Sequence, residues 1–123
     1  MRFSFPSLVV AAFVAVAPAA VADTVRMSDV EFVRASQCLA YLTAQEVPDT
    51  VTGPLETELR LQGRHRPAHI TDGLRADARL IARQWRRADT DAERLAFANR
   101  QGEACAGFES LTAGAPGQGA GGV

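Results

Sequence analysis

Apolar residues recur at three- and four-residue steps along most of the chain, a period typical of amphipathic α-helices. The pattern begins at Ser28, which is followed three positions later by Glu31. That spacing is a capping box, in which two side chains satisfy free backbone donors at a helix start. We predict a first helix from Asp29 to about Gln45. Its apolar face comprises Phe32, Ala35, Leu39 and Leu42, with Cys38 on the same side.

Proline, glycine and threonine residues indicate the next two helices. Gly53-Pro54 predicts a second helix that runs from Pro54 to about Gln62, since proline at the first helical position loses no needed donor. Residues 64–70 contain a proline and no clear period, so we predict a connection there. Thr71 then caps a third helix from Asp72 to about Arg87. Its apolar face comprises Leu74, Ala78, Ile81 and Trp85.

A fourth helix is predicted from a second capping box, formed by Thr90 and Glu93, to about Leu111. Its apolar face comprises Phe97, Ala104, Phe108 and Leu111, with Cys105 beside it. Gly102 and Gly107 weaken this helix by up to about 1 kcal/mol each, unless close packing offsets the loss. Because no segment alternates with a period of two, the predicted fold class is all-α, a small antiparallel bundle of three to four helices.

Residues 1–22 have the composition of a secretory signal peptide. One basic residue, Arg2, precedes an apolar stretch from Leu8 to Ala17, and small residues at Ala20 and Ala22 suit signal peptidase. The stretch is too short to cross a bilayer, so we expect cleavage after Ala22 and export to the periplasm or the cell exterior, with no transmembrane anchor left. An uncleaved anchor is the alternative. The helical domain then spans residues 23–112, and residues 113–123, rich in glycine and alanine, are expected to be a disordered tail.

Cys38 and Cys105 are the only two cysteines. An oxidising compartment converts such a pair into a disulfide, which here would join the first helix to the last. The alternative is a reactive or metal-binding thiol pair. The chain has neither a Cys-x-x-Cys motif nor a histidine beside either cysteine, so the disulfide is the prediction.

The charge distribution along the chain is uneven. All 13 basic residues are arginine, against 14 acidic residues, and this overall balance does not indicate a nucleic-acid partner. Residues 60–87 nevertheless hold eight arginines and only two acidic residues. Helical spacing places Arg75, Arg79, Arg83 and Arg86 in one row. Because like charges so placed repel, either an anionic partner outside the protein or acidic residues of the other helices compensate them, or solvent does. The candidate internal partners are Glu31, Glu46, Glu56, Glu58, Glu93 and Glu103.

Other residue types with possible chemistry are sparse. His65 and His69 are four positions apart, but Pro67 between them interrupts a helix, so we interpret them as exposed loop histidines and predict no metal site. Trp85 is in line with the apolar face of the third helix and is predicted to be a core residue rather than a platform for ligand stacking, although its neighbours Arg86 and Arg87 leave an interfacial position open. No nucleophile with a base, cofactor motif or phosphate loop is found, so neither an enzyme nor a cofactor is predicted. A small hydrolase whose site is assembled from distant residues is the alternative, and no residues can be named for it.

Two functional hypotheses follow from these features. The first is an exported, non-enzymatic interaction protein whose row of arginines contacts an anionic partner, either an envelope component or an acidic protein. The second is a stress-responsive holdase chaperone. That hypothesis requires the acidic partners of the arginines to be protonated at low pH, so that the bundle opens and exposes its apolar faces.

Overall fold

The computed structural model describes residues 26–117, which are all-helical, with four α-helices and no strand. α1 spans Asp29–Ala44, α2 Asp49–Gly63, α3 Ala68–Arg87 and α4 Asp91–Cys105, and a short 3-10 helix follows at Glu109–Leu111. The predicted all-α class is confirmed for this part of the chain. The predicted signal peptide and the last six residues of the predicted tail lie outside it. Every helix within residues 26–117 is too short or too polar to span a bilayer.

α1 is the central helix, because it packs against α2, α3 and α4. Its predicted start is confirmed, since Ser28 Oγ accepts a hydrogen bond from the Glu31 backbone N–H at 3.1 Å. The predicted apolar face is mostly buried, but Leu39 is only half-buried and Tyr41 lies in the core. The buried residues of α1 are Phe32, Ala35, Cys38, Tyr41 and Leu42.

α2 begins at Asp49, and the predicted start at Pro54 is wrong. Pro48 is the N-cap residue, with an extended backbone, and its carbonyl accepts hydrogen bonds from Val51 N at 2.9 Å and Thr52 N at 3.2 Å. Pro54 lies inside the helix with its ring exposed. Its missing N–H removes only one bond, close to the start, and the buried Thr52 and Leu55 hold this turn against the core.

α3 begins four residues earlier than predicted, at Ala68. Pro67 is its N-cap residue, so the first bonds run to the Pro67 carbonyl without a side-chain cap. Thr71 therefore lies inside the first turn, where its hydroxyl donates to the Ala68 carbonyl at 3.1 Å. Both histidines are exposed, as predicted. His65 lies in the turn before α3, whereas His69 lies in the first turn of α3, so the predicted loop position is correct for His65 and wrong for His69.

α4 has the predicted start but ends at Cys105, six residues before the predicted end. Thr90 Oγ1 accepts from Glu93 N at 3.1 Å, as a capping box requires. Gly107 then adopts a φ of 91°, a left-handed conformation that favours glycine and turns the chain into the 3-10 helix. The Glu109 carboxylate accepts a hydrogen bond from Gly107 N at 3.1 Å. Bonds from its own N–H and that of Gly107 lower the pKa of Glu109.

The core lies between α1 and the other helices. Phe97 of α4 is its centre, with ring centroids 4.9 Å from Tyr41 and 5.0 Å from Trp85. A disulfide joins Cys38 to Cys105, with the two Cα atoms 4.8 Å apart, so the predicted link between the first and fourth helices is confirmed. The core also extends beyond the predicted boundary at Thr112 as far as Ala115, which is buried.

Candidate functional site

The four predicted arginines stand together on α3, and we name Arg75, Arg79, Arg83 and Arg86 the arginine surface. All four are exposed. The apolar residues of α3, among them Ile81 and Trp85, face the rest of the bundle, so helical geometry directs the arginines outward. The structure thus brings the predicted residues into one continuous strip of positive charge.

No carboxylate within residues 26–117 lies within 4.0 Å of a guanidinium nitrogen of the arginine surface. The glutamates considered as internal partners therefore make no ion pair with it in this part of the chain. Asp77, on the same helix, has its carboxylate 3.4 Å from Gln37 Nε2 of α1. The remaining explanations for the arginine surface are solvent and an external anion. The acid-release step of the chaperone hypothesis has no ion pair to break among these residues.

A groove of about 730 Å³ runs alongside the arginine surface, between the C-terminal halves of α1 and α3. This volume is within the range of about 300–1,000 Å³ that is typical of small-molecule sites. The floor and walls are mostly apolar and small. The apolar lining residues are Leu39, Ala40, Ala44, Ala78, Ala82 and Trp85.

Trp85 forms one wall of this groove and is half-buried. One side of its ring contacts Phe97, and the Arg94 guanidinium carbon lies 5.1 Å from the ring centroid. Trp85 is therefore not a fully buried core residue but packs against the edge of the core, which is the interfacial position that its charged neighbours left open. Because neighbours on two sides hold the ring, it presents a defined apolar surface to the groove.

The polar residues that line the groove, among residues 26–117, are Ser36, Thr43, Gln45, Glu46 and Arg86. Ser36 Oγ donates to the Phe32 carbonyl at 2.8 Å, and Gln45 Nε2 donates to the Tyr41 carbonyl at 3.1 Å and also contacts Gln101 Oε1. Arg86 is the one cation and Glu46 the one anion among the described residues that line the groove.

Sequence reasoning missed this groove because it assigned Ala78 to the buried face of α3, whereas Ala78 is exposed. The available signal was the repetition of alanine at i, i+4 spacing on two helices, Ala40 and Ala44 on α1 and Ala78 and Ala82 on α3. Two facing rows of small side chains leave open space where larger ones would fill it.

Arg66 belongs to the arginine-rich segment 60–87, but the structure gives it a structural role that the sequence does not indicate. Its side chain is 3% exposed, and Nη1 lies 2.5 Å from Asp29 Oδ1. The guanidinium also donates to the Met27 carbonyl and stacks 4.8 Å from the centre of the Phe32 ring. Arg66 thus fixes the end of α2 to the start of α1 and is unavailable to a partner.

The residues that form other kinds of site are not brought together. Cys38 and Cys105 are buried and bonded to each other, so neither offers a thiol. No group of three or more histidine, cysteine, aspartate or glutamate side chains within residues 26–117 is arranged to hold a metal ion. Comparison of the chain with protein-family models, curated proteins and solved structures finds no match.

Proposed function

We propose that this protein is a non-enzymatic interaction protein whose arginine surface contacts an anionic partner. The observation that supports the proposal is four exposed guanidinium groups in one strip, with no carboxylate within 4.0 Å among residues 26–117. Repulsion along such a strip is relieved when an anion binds, which favours association and makes it salt-dependent.

The proposed location of this interaction is the cell envelope or exterior. The Cys38–Cys105 disulfide supports an oxidising compartment, and residues 1–22 have the signal-peptide composition described above. Edman sequencing of the protein recovered after export is expected to begin at Asp23. A first residue of Met1 would show an uncleaved N-terminus and contradict this assignment.

The test of the arginine surface is co-sedimentation of the oxidised protein with phosphatidylglycerol vesicles at low salt and at about 0.15 M salt. A triple variant, R75Q/R79Q/R83Q, removes the charge of the strip. The matched control, R60Q/R64Q/R100Q, removes the same charge from exposed positions outside α3. The measured quantity is the difference in vesicle binding between these two variants.

We expect binding that weakens with salt, is lost in the α3 variant and persists in the control. A polyglutamate column provides a second anionic surface, of the acidic-protein type. Equal behaviour of the two variants on both surfaces would contradict the proposal and leave the arginines as a solvated face.

The chaperone hypothesis is tested separately, because it requires exposure of the apolar faces rather than of the arginines. A dye that fluoresces on apolar surface is added as the pH is lowered. A sharp increase in fluorescence together with retained helical circular dichroism would support the chaperone hypothesis. A bundle that stays closed and dye-silent at acid pH would exclude it.

A further inference from the structure

The groove between α1 and α3 meets the arginine surface at Arg86, which lines it. Ala82 lines the groove, and on a helix its surface neighbours at i−3 and i+4 are Arg79 and Arg86. In the same way, Arg75 is the neighbour of Ala78 at i−3. An occupant of the groove would therefore have cations along one edge and apolar side chains beneath it.

The length and composition of the groove limit its occupant. The lining of α3 extends from Ala78 to Arg86, which is about 12 Å at the helical rise of 1.5 Å per residue. That length accommodates only about two turns of a partner helix, which is little area for a stable protein complex. It suits a flexible apolar chain, whose binding depends on apolar burial and on one polar contact for orientation.

We propose that this groove binds the acyl chain of a single-chain anionic amphiphile, such as a fatty-acid carboxylate, with its head group at Arg79 and Arg86. The proposal rests on the proposed function, because it identifies the anionic partner of the arginine surface. The chain lies over Ala78 and Ala82 against the Trp85 ring, and the guanidinium groups donate charge-assisted hydrogen bonds to the carboxylate.

Glu46 is the unfavourable feature of the site for an anion. It lies at the end of α1, is exposed, and has a φ of 57°. Glu46 lines the same groove, so its negative charge repels a carboxylate head group, whereas the arginines on the α3 side attract it. E46Q removes this repulsion and is therefore expected to tighten the binding of an anionic ligand.

The experiment uses Trp85 as the reporter, since it is the one tryptophan in the chain. Bromododecanoate, whose bromine quenches tryptophan on contact, is titrated below its micelle concentration into the oxidised protein that begins at Asp23. We expect saturable quenching that unlabelled dodecanoate reverses. Dodecanol and dodecylammonium, with neutral and cationic heads on the same chain, should compete at least about tenfold more weakly, because neither head accepts the charge-assisted hydrogen bonds of Arg79 and Arg86.

Two variants test the two halves of the site. R79Q/R86Q should weaken dodecanoate binding about tenfold or more, whereas the matched control R60Q/R64Q, also exposed, should not change it. A82F fills the groove without altering charge and should abolish quenching. Far-UV circular dichroism and the melting temperature check that both variants remain folded.

The results separate this inference from the proposed function. Vesicle binding that depends on the arginine surface, without saturable quenching of Trp85, would contradict acyl-chain binding in the groove and leave the proposed function in place. Quenching that is unaffected by head group, by R79Q/R86Q or by A82F would also overturn the inference. If neither assay depends on the arginine surface, both proposals fall.

Discussion

At the scale of single residues, two glycines near the end of α4 have opposite roles that the sequence does not distinguish. Gly102 is exposed inside the helix, and an added methyl group would meet no atom within 4 Å. Gly107 has a φ of 91°, which side chains rarely adopt. The sequence predicts that both glycines lie within one long helix and lower its stability. Only the course of the chain after Cys105 shows that Gly107 is the turn.

We predict that G102A raises the free energy of unfolding by about 0.5–1 kcal/mol, because alanine is a better helix former than glycine. G107A should lower it by about 1–2 kcal/mol, since an alanine is strained at positive φ. Urea denaturation of both variants measures the two changes. Shifts in the same direction would contradict this assignment.

Tyr41 provides a second prediction at this scale. Burial raises the pKa of its phenol above 10.0, Arg100 opposes this, and Glu103 and Asp77 add to it. The folded state thus favours the neutral phenol, so its contribution to stability is complete below the unfolded pKa of about 10 and is lost as the pH rises through the folded pKa.

Tyr41 is the one tyrosine in the chain, so the ultraviolet absorbance of tyrosinate reports on it alone. The titration midpoint is expected above 10 in the native protein and near 10 in denaturant. A native midpoint at or below the denatured value would show that the phenol is not desolvated.

At the scale of elements, helix starts with a local chemical signature were predictable and those without it were not. The starts of α1 and α4 depend on a side chain and a backbone donor three positions apart, a contact that is readable from the sequence. α2 and α3 begin after Pro48 and Pro67, which have no capping side chain. Near the start of α2 the buried Thr52 and Leu55 pack against the core, and in the first turn of α3 the partly buried Ile70 does so.

Arg66 supports a prediction about the junction of α1 and α2. R66A should lower the free energy of unfolding by about 2–3 kcal/mol, because a nearly buried side chain loses charge-assisted hydrogen bonds and its contact with the Phe32 ring. D29A should cost less than about 1 kcal/mol, since the Asp29 side chain is 60% exposed and solvent screens the pair.

Thermal and urea unfolding of the two variants give the comparison, with R64A as an exposed-arginine control. Arg66→Lys should recover only part of the loss, since an ammonium group lacks the planar fork of donors. Equal effects of R66A and D29A would assign the stability to the ion pair alone and contradict this interpretation.

At the scale of the whole molecule, the disulfide stabilises the fold by lowering the conformational entropy of the unfolded chain. It closes a loop with a sequence separation of 67 residues. On the chain-entropy model such a loop contributes roughly 4 kcal/mol, a large part of the total for a domain of this size. Both cysteines are buried against the core, so reduction requires the α1–α4 contact to open.

C38A/C105A is therefore expected to lower the urea midpoint strongly while keeping helical circular dichroism at low temperature. Treatment of the wild type with a reductant in denaturant, followed by refolding, should give the same midpoint. A variant as stable as the oxidised protein would show that packing alone holds α1 to α4.

The all-helical class, two of the four helix starts and the pairing of the cysteines can be predicted from the sequence, because they depend on local spacing and on the presence of a single possible partner. The row of arginines on α3 was also readable, since helical period alone places them together. The packing of the helices, which the sequence does not reveal, buries the side chain of Arg66 in an ion pair and leaves Arg75, Arg79, Arg83 and Arg86 exposed. It likewise decided that the alanines of α1 and α3 face each other across a groove, because that depends on how two helices pack and not on the period of either one.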